Sequence, residues 1–327
     1  VDKSTVPVGT AEKVHHAIAQ HTSIPFDVVS NPEFLREGFA VEDTLAPDRL
    51  VYGVPEGEAG EQATATLDTV YAAILAKDTP RLIMNFATAE LVKVAANSFL
   101  ATKISFINAM AEISDVTGAN VTQLADAIGY DARIGRRFLN AGIGFGGGCL
   151  PKDIRGFVAR AEELGVGHSL AFLKDVDDIN LRRRSRVVDI LTEELGSLHG
   201  TKIAVWGASF KPDSDDIRDS PALDIAESLA RAGATVISAD PEGWKPASAR
   251  IEKSGLADSL SATSDHRAAV QDADAVVVAT EWDIFRNEDP TDIGSLMNQK
   301  IVVDGRNCLD SEAWKSAGFR YRGMGRS

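Results

Sequence analysis

A glycine-rich segment that ends in a cysteine is the part of this sequence best suited to chemistry. It reads Gly-Ile-Gly-Phe-Gly-Gly-Gly-Cys-Leu-Pro-Lys-Asp over residues 142–153. Glycines let a loop approach a ligand closely and present backbone amide donors to it. Cys149 follows these amides, precedes a predicted helix and lies near Lys152, and each of these features favours the thiolate. The segment predicts a nucleophilic cysteine, although a lone cysteine is more commonly a small side chain packed in a turn.

The same segment contains a G-x-G-x-x-G string from Gly142 to Gly147. That string marks a dinucleotide site only between a strand and a helix of one βαβ unit. Here no strand is predicted before it, and Pro151 separates it from the next helix. We therefore interpret it as a loop that approaches a ligand, and we assign the second cysteine, Cys308, to packing.

Polar residues at helical spacing could assist the cysteine. Lys93 and Asn97 lie four residues apart, so they share a helix face and could stabilise a developing oxyanion; the lysine could equally extend from a core face to solvent. Glu33 and Glu37 follow an Asn-Pro turn and are either a general base and its neighbour or a solvated face. Thr5 occupies a similar strand end. The six histidines fall in no metal-ligand or dyad spacing, which predicts no metal site.

The elements that must position these residues form three predicted domains. Residues 1–85 read as the end of an α/β domain, with strands near 1–7 and 27–30 around a helix at 11–20. Residues 86–195 are predicted to be helical, with helices at 88–117, 121–128, 151–164 and 170–195. Residues 196–327 alternate apolar strands (203–206, 235–239, 275–280 and 301–304) with helices such as 221–232. This alternation predicts a doubly wound α/β domain with a parallel sheet, whose ligands lie beyond the carboxyl ends of the strands.

Composition restricts the partners. The chain has 327 residues, 34 basic against 48 acidic side chains and a net charge of −14. This acidic balance disfavours nucleic acid and anionic membranes as partners. No apolar run approaches the ~20 residues that span a bilayer. Two cysteines are too few for a disulfide framework, which predicts a reducing, cytoplasmic location.

Five separated segments of the sequence carry a common resemblance. They are Lys-Ser-Thr-Val-Pro-Val-Gly-Thr (3–10), Asn-Pro-Glu-Phe-Leu-Arg-Glu-Gly (31–38), Glu-Leu-Val-Lys-Val-Ala-Ala-Asn (90–97), Gly-Phe-Gly-Gly-Gly-Cys-Leu-Pro-Lys-Asp (144–153) and Phe-Lys-Pro-Asp-Ser-Asp-Asp-Ile-Arg (210–218). Together they resemble the UDP-glucose/GDP-mannose dehydrogenase family, and within it the UDP-glucose 6-dehydrogenases. The resemblance is collinear and covers nearly the whole chain.

The resemblance implies an NAD-dependent, four-electron oxidation of UDP-glucose to UDP-glucuronate. Cys149 would capture an aldehyde as a thiohemiacetal, and a second hydride transfer would give a thioester that water hydrolyses. The other catalytic positions implied are Lys93 with Asn97 for oxyanion stabilisation, Asp153 for positioning or deprotonating water, Glu33 as base in thioester hydrolysis, and Thr5 in support of that water.

The resemblance also implies binding residues. The substrate positions, besides Lys93 and Asn97, are Glu33, Phe34, Leu35, Arg36, Glu37, Phe138, Leu139, Asn140, Ala141, Gly142, Gly146 and Lys211, with Arg133 reaching the substrate of a neighbouring subunit. The NAD positions are Thr5, Glu37, Lys152 and Arg218. The helix at 88–117 would form the core of a homodimer, and the last domain would hold UDP.

Two departures from the family pattern lead to further expectations. Gly148 stands where the family usually has Ser, which adds freedom to the loop. The family's first strand, its glycine fingerprint and its ribose-binding acid are expected before Val1. We therefore predict that most of the NAD-binding domain is missing and that this fragment binds NAD poorly and has little or no activity.

Other functions remain open on the sequence alone. Within the enzyme class, the substrate could be GDP-mannose or a UDP-N-acetylhexosamine. A nucleotide-sugar-binding module without redox activity is a second alternative. A cysteine-dependent hydrolase or acyltransferase is a third, weakened by the lack of a placed histidine.

Overall fold

The computed structural model describes residues 1–326, which fold as two compact units. The first unit comprises Val1–Phe99 and Lys152–Phe172, and the second comprises Leu100–Pro151 and residues 173–326. Each unit therefore consists of two separate segments of the sequence. The boundaries between the units fall within helices.

The first unit begins with an α/β region. Its elements are α1 (Thr10–Ala19), α2 (Ala40–Leu45), β1 (Leu50–Gly53), α3 (Glu58–Val70), α4 (Ala72–Leu75) and β2 (Arg81–Met84). Strands β1 and β2 pair in parallel, from Leu50 opposite Arg81 to Gly53 opposite Met84. A small core lies between β1 and α3, with Tyr52 and Leu67 buried in it.

The strands predicted near residues 1–7 and 27–30 are not regular strands. They are reduced to single bridges, in which Ser30 pairs with Asp2 in parallel and with Gly53 antiparallel. Backbone hydrogen bonds between Asp2 and residues Val29 and Asn31 accompany the first bridge. These bonds, with that from the Glu33 amide to the Lys3 carbonyl, still hold residues 2 and 3 beside the segment that carries Glu33.

Four helices follow in the middle of the chain: α5 (Phe86–Thr117), α6 (Val121–Gly129), α7 (Leu150–Glu163) and α8 (Phe172–Leu195), with a short 3-10 helix at Gly167–Leu170. All four helices predicted from the apolar spacing are present, with bounds that differ by one or two residues. The Asn120 side chain caps α6 by accepting hydrogen bonds from the amides of Thr122 and Gln123.

The second unit is built on a six-stranded parallel sheet within residues 202–323. Its elements are β3 (Lys202–Trp206), α9 (Pro221–Arg231), β4 (Thr235–Ala239), α10 (Trp244–Ser254), β5 (Leu260–Thr263), α11 (His266–Val270), β6 (Ala275–Val278), α12 (Asp283–Arg286), α13 (Pro290–Leu296), β7 (Ile301–Asp304), α14 (Ser311–Ser316) and β8 (Arg320–Gly323). The strand order is β5-β4-β3-β6-β7-β8. Every neighbouring pair is parallel.

Both faces of this sheet are covered. Ile203 and Val205 of β3 pack into one apolar cluster, and Ala204 and Trp206 pack into another on the opposite face. A strand that buries both faces reads as a continuous apolar run, which is why β3 and its neighbours were recognisable in the sequence. The predicted doubly wound α/β fold is confirmed. Within residues 1–326, no helix combines the length and the apolar character needed to cross a bilayer.

Candidate active site

Helix α5 carries the buried side chains of Lys93 and Asn97 in the first unit, and each of these two has an acidic partner. Asn97 Nδ2 donates a hydrogen bond to Asp153 Oδ2 at 2.6 Å. Lys93 Nζ lies 3.4 Å from Glu33 Oε1. Lys93 is only 6% exposed and Asp153 5%, so these are interior pairs. The structure therefore brings together four of the predicted catalytic residues of this unit.

The burial of Lys93 separates the two sequence interpretations of that residue. A lysine that extends to solvent keeps its ammonium in water, whereas this ammonium contacts Glu33 and lies 5.3 Å from the centre of the Phe34 ring. The cation is thus held at a fixed place by a carboxylate and an aromatic face. Such a placement suits a group that must meet developing negative charge.

Asp153 lies in the first turn of α7, where a negative charge is favoured by the helix dipole. Lys152 Nζ is 3.3 Å from Asp153 Oδ1, and the Lys152 side chain is largely exposed. One Asp153 oxygen therefore faces the exposed Lys152 cation and the other a buried amide from Asn97. The carboxylate keeps a single orientation.

A cavity of about 190 Å³ lies beside this group within the first unit. It is lined by Thr5, Val6, Pro7, Val8, Val94, Lys152, Asp153, Gly156, Phe157 and Arg160. Arg160 supports one wall, because its guanidinium donates from Nε and Nη2 to the Val8 carbonyl at 3.2 and 3.0 Å. Apolar side chains and two cations share this lining, so the cavity can take a ligand with a flat apolar part and an anionic part.

Glu90 is a buried residue of this region whose role the sequence did not reveal. Its Oε2 accepts from the Gly9 amide and its Oε1 from the Ala11 amide, both at 2.7 Å. The carboxylate thereby satisfies the free amides at the start of α1, which has no side-chain cap of its own. The signal that could have found it is an acid one turn before Lys93 on an apolar face.

The segment that follows Glu33 is more open. Glu33 Oε2 accepts from the Leu35 amide at 2.5 Å, which turns the carboxylate back onto its own chain. Arg36 is exposed and pairs with Asp43, and this hydrogen bonding raises the pKa of Arg36. Glu37 is half-buried. Residues 33–37 therefore include two exposed side chains, Leu35 and Arg36, and three that are half-buried.

In the second unit, the glycine-rich loop is buried up to its last residues and is held by its backbone. The Gly142 amide donates to Asn108 Oδ1 at 2.9 Å, and the Ile143 amide to the Gly305 carbonyl at 2.9 Å. The Gly147 amide donates to the Arg218 carbonyl at 2.8 Å. Cys149 is exposed and immediately precedes α7. The sequence interpretation of this segment as a loop, and not a βαβ fingerprint, agrees with this structure.

Residues 138–140 precede this loop. Phe138 has a left-handed backbone with φ of 65° and is 41% exposed, whereas Leu139 is buried in the cluster that packs α5 on α6. Arg136 fixes the turn by donating to the Leu139 carbonyl and to Asn140 Oδ1. A strained, exposed aromatic beside a fixed backbone is typical of a binding loop.

Arg218 and Lys211 lie on the loop after β3. Arg218 makes a bidentate pair with Asp216. Burial by itself raises the pKa of Asp216, but hydrogen bonds from Arg218 and from the Gly148 amide outweigh it and hold that pKa below its usual value. Lys211 Nζ lies 5.6 Å from the centre of the Phe210 ring. The Asp216 carboxylate thus links this loop to the residue just before Cys149.

Arg306, at the end of β7, joins three loops and was missed in the sequence. Its guanidinium donates to the carbonyls of Ala279, Gly144 and Phe210, at 2.8, 2.9 and 3.2 Å. An arginine directly after a strand end and a glycine is a signal that could have found it. Arg133, by contrast, is 89% exposed and pairs with Asp131, which lowers the pKa of that acid.

Two carboxylates end strands of the sheet and are occupied by protein donors. Asp240, after β4, is fully buried and accepts from six donors within residues 1–326: the amides of Ala208, Ser209, Glu242 and Gly243, the Ser209 hydroxyl and the Trp282 indole. Asp304, at the end of β7, accepts from the Leu309 amide and the Tyr321 hydroxyl. Both acids shape loops at the carboxyl edge of the sheet.

Cys308 lies beside Asp304, with its Sγ 3.7 Å from Oδ1. Burial, and then the nearby Asp304 charge, raise the pKa of the Cys308 thiol. This thiol stays protonated and contributes to packing, and Cys308 is less exposed than Cys149. Within residues 1–326, no group of three or more His, Cys, Asp and Glu side chains could hold a metal ion.

Comparison with known proteins gives matches along most of the chain. Residues 1–75 match the NAD binding domain of the UDP-glucose/GDP-mannose dehydrogenase family, residues 87–182 its central domain and residues 204–311 its UDP binding domain. The chain belongs to this family. It is therefore an NAD-dependent oxidoreductase, as the sequence predicted.

Named relatives agree. The UDP-glucose 6-dehydrogenase TuaD of Bacillus subtilis is 40% identical over all of this chain and 68% of its own length. The UDP-glucose 6-dehydrogenase of Rickettsia typhi is 41% identical over 99% of this chain and 73% of its own. The structure of a UDP-glucose dehydrogenase from Pyrobaculum islandicum aligns with a TM-score of 0.88 at 38% identity, covering 99% of this chain and 70% of that one.

One sequence prediction is wrong. We expected most of the NAD-binding domain to be missing, but the family's NAD binding domain matches residues 1–75. That expectation depended on finding a glycine fingerprint, whereas this region has its own parallel strand pair, core and cavity. The expectation that the chain is inactive rested on the same premise and loses its basis.

Proposed function

We propose that this chain is a UDP-glucose 6-dehydrogenase, which oxidises the C6 alcohol of UDP-glucose to the carboxylate of UDP-glucuronate. The observation that carries the proposal is the buried set on α5, in which Lys93 pairs with Glu33 and Asn97 with Asp153. About 40% identity to UDP-glucose 6-dehydrogenases over the whole chain supports the choice of substrate.

The first unit offers features that fit NAD. The cavity beside Thr5 combines apolar walls from Val94 and Phe157 with the cations of Lys152 and Arg160, and such a lining suits a flat ring and a pyrophosphate. Bound NAD would accept the hydride in each oxidation. We assign Thr5, Lys152, Glu37 and, in the second unit, Arg218 to its binding.

Cys149 supplies the nucleophile in our proposal. Its thiolate adds to the C6 aldehyde and forms a carbon–sulfur bond, which gives a thiohemiacetal with a tetrahedral oxyanion. Loss of hydride from that adduct leaves a thioester, and attack by water releases the carboxylate and regenerates the thiol. Overall, one alcohol and one water consume two NAD⁺ and yield one carboxylate, two NADH and three protons.

The remaining roles follow from charge. Lys93 and Asn97 are the cation and amide donor that stabilise the oxyanions, since each is held by a carboxylate partner. Asp153 positions or deprotonates the water, and Glu33 acts as base in thioester hydrolysis, with Thr5 in support. These carboxylates suit proton transfer because each lies beside a donor that orients it.

We assign the binding of the sugar nucleotide to two sets of residues. In the first unit these are residues 33–37, and in the second residues 138–142 with Gly146 and Lys211, where Phe138 and Phe210 provide aromatic surface. The family's UDP binding domain supports the placement of UDP in the second unit. The three-domain division at residues 1–85, 86–195 and 196–327 remains part of this proposal.

We further propose a homodimer through α5 in the cytoplasm. Phe99, Phe106 and Ile113 recur every seven residues on α5 and are 66%, 49% and 52% exposed, which is typical of an interface stripe. Arg133, exposed on its loop, would reach the substrate of the partner. Both cysteines are free thiols, as is common in reducing compartments.

The test is a direct assay of the purified chain. NADH is followed by absorbance with UDP-glucose and NAD, and the product is identified by mass spectrometry. We expect two NADH for each UDP-glucuronate. Preferred oxidation of GDP-mannose or a UDP-N-acetylhexosamine would replace the substrate assignment, and binding without any NADH would leave only a nucleotide-sugar-binding module.

A further inference from the structure

Phe145, at the centre of the glycine-rich loop, is held on both of its backbone groups by one side chain. The Phe145 amide donates to Asn180 Oδ1 at 2.7 Å, and Asn180 Nδ2 donates to the Phe145 carbonyl at 3.0 Å. Asn180 lies on α8 and is fully buried. Because a carboxamide is planar, this two-point contact fixes both the position and the rotation of the loop backbone at Phe145.

The contact is reinforced from the next turn of α8. Arg184 Nη2 donates to the same Phe145 carbonyl at 3.1 Å. Arg184 is itself anchored by ion pairs with Asp219 and Asp224. A Cβ atom on Gly144 would lie 2.3 Å from Asn180 Oδ1, so the loop is shaped to receive the amide. We call this arrangement, Asn180 and Arg184 on Phe145, the loop clamp.

The clamp matters because a run of glycines separates Phe145 from the cysteine. Residues 146–148 are three consecutive glycines, and Cys149 comes directly after them. Glycine is the residue with the greatest backbone freedom, so the cysteine would sample many positions without a fixed point upstream. Two hydrogen bonds restrain this run itself: the Gly147 amide donates to the Arg218 carbonyl, and the Gly148 amide donates to the Asp216 carboxylate.

We propose that Asn180 is a positioning residue that places the Cys149 thiol for capture of the aldehyde. This inference rests on the proposed function. Loss of hydride from the C6 alcohol needs no thiol, whereas the second oxidation needs the carbon–sulfur bond to be formed first. Reacting atoms must lie about 3–3.5 Å apart, and a misplacement of about 1 Å costs on the order of 100-fold in rate.

A displaced thiol therefore has a chemical signature that lower stability does not give. Without capture, the alcohol loses one hydride and one proton to give the aldehyde and one NADH, and the reaction stops there. The aldehyde then becomes available to hydroxylamine, which condenses with it to an oxime and releases water. The ratio of NADH to sugar consumed thus reports how well Cys149 is placed.

The experiment compares Asn180→Ala with Ser105→Ala in the full chain. Ser105 is a matched control because its buried hydroxyl donates to the Val176 carbonyl of α8 without touching the loop. We expect Asn180→Ala to lower UDP-glucuronate formation about 100-fold, to shift NADH per sugar from two toward one, and to yield the oxime. Ser105→Ala keeps two NADH per sugar.

Wild-type kcat and two NADH per sugar in Asn180→Ala would overturn the proposal. If that variant does not fold, Asn180→Asp decides the same question, since it keeps the shape and the acceptor but removes the donor to Phe145. If the wild type makes no NADH from UDP-glucose, the proposed function fails, and hydrogen–deuterium exchange of residues 142–149 tests the clamp alone. Faster exchange confined to that loop in Asn180→Ala supports the clamp, and unchanged exchange refutes it.

Discussion

The Asn97 amide donates to the Asp153 carboxylate at 2.6 Å, and both side chains are buried. The bond fixes a carboxylate from the first turn of α7 against the helix that also carries Lys93. A carboxylate that is held in one orientation is well placed for proton transfer. This relationship leads to the first prediction.

Asp153→Asn should lower kcat by about 100- to 10,000-fold, because it removes the group that activates water. Asn keeps the shape, so the melting temperature should stay close to that of the wild type. The thioester should accumulate on Cys149, which intact-protein mass spectrometry detects as a covalent adduct. If turnover stops and no adduct appears, Asp153 acts at an earlier step.

Lys93→Met should abolish most activity and also lower stability, because it leaves the half-buried Glu33 carboxylate without its cation. Loss of one oxyanion donor typically costs about 100- to 1,000-fold in kcat. The double variant Lys93→Met/Glu33→Gln should be more stable than Lys93→Met alone in denaturant unfolding. Additive effects of the two substitutions would show that the pair is not energetically coupled.

Adding a side chain should be harmful at one glycine of the reactive loop and tolerated at another. A Cβ on Gly146 would lie 2.1 Å from the Asp219 carbonyl, which is backbone and cannot move aside. A Cβ on Gly148 would meet the Arg218 guanidinium at 2.5 Å, which is the end of a flexible side chain. Gly146→Ala should therefore destabilise by roughly 1–3 kcal/mol or more, whereas Gly148→Ser should keep activity within about tenfold.

Thermal unfolding and initial rates of the two variants check this contrast. Equal loss in both would mean that Arg218 is as rigid as the backbone. Tolerance at Gly148 would agree with the serine that the resemblance leads us to expect at this position.

Low pH should lower the stability of the second unit, because Glu288 becomes protonated. Hydrogen bonding from Arg267 and His266 outweighs burial and lowers the pKa of Glu288. A depressed pKa contributes stability that is complete above the unfolded value of about 4.3 and is lost as the pH falls through the folded value. Glu288→Gln should therefore flatten the fall of unfolding free energy below about pH 4.3, measured by urea titration at several pH values. If the unfolding free energy of the variant falls with pH as steeply as that of the wild type, Glu288 does not contribute to the acid sensitivity.

The two thiols should react very differently with iodoacetamide. Cys149 is exposed, whereas burial and Asp304 raise the pKa of Cys308. One equivalent should modify Cys149 in the folded protein and abolish activity, and Cys308 should react only after unfolding. Peptide mapping of the product gives the site, with Cys149→Ser as the unreactive control. Early modification of Cys308 would contradict the packing role.

The sequence predicted the strands at the centre of the large sheet but not its two edges. The central strands β3 and β6 are buried on both faces and read as apolar runs. The edge strands β5 and β8 each have residues open to solvent, and β8 begins with an exposed arginine. Half-covered strands of four residues carry too few apolar positions to stand out from loops.

Site residues divide in a similar way. Lys93 and Asn97 were recognisable because helical spacing alone puts them on one face. Asn180 and Glu90 could not be recognised in this way. Asn180 bonds to backbone 35 residues away in the sequence, and Glu90 to backbone 81 residues away. Backbone partners leave no trace in residue type, so only the fold reveals such contacts. Arg306 was missed for the same reason, because the three groups that accept its hydrogen bonds are backbone carbonyls.

Asp240 shows how one architecture can take on a new task. In dinucleotide-binding domains with this strand order, an acid after the first helix accepts a hydrogen bond from the ribose of the cofactor. Here both oxygens of the corresponding carboxylate are already taken by the protein's own amides, hydroxyl and indole. The Asp240 carboxylate therefore stabilises loops of its own domain and does not bind a ribose. The same strand order can thus use the carboxylate at this strand end either to bind a ligand or, as here, to hold the loops of its own domain in place.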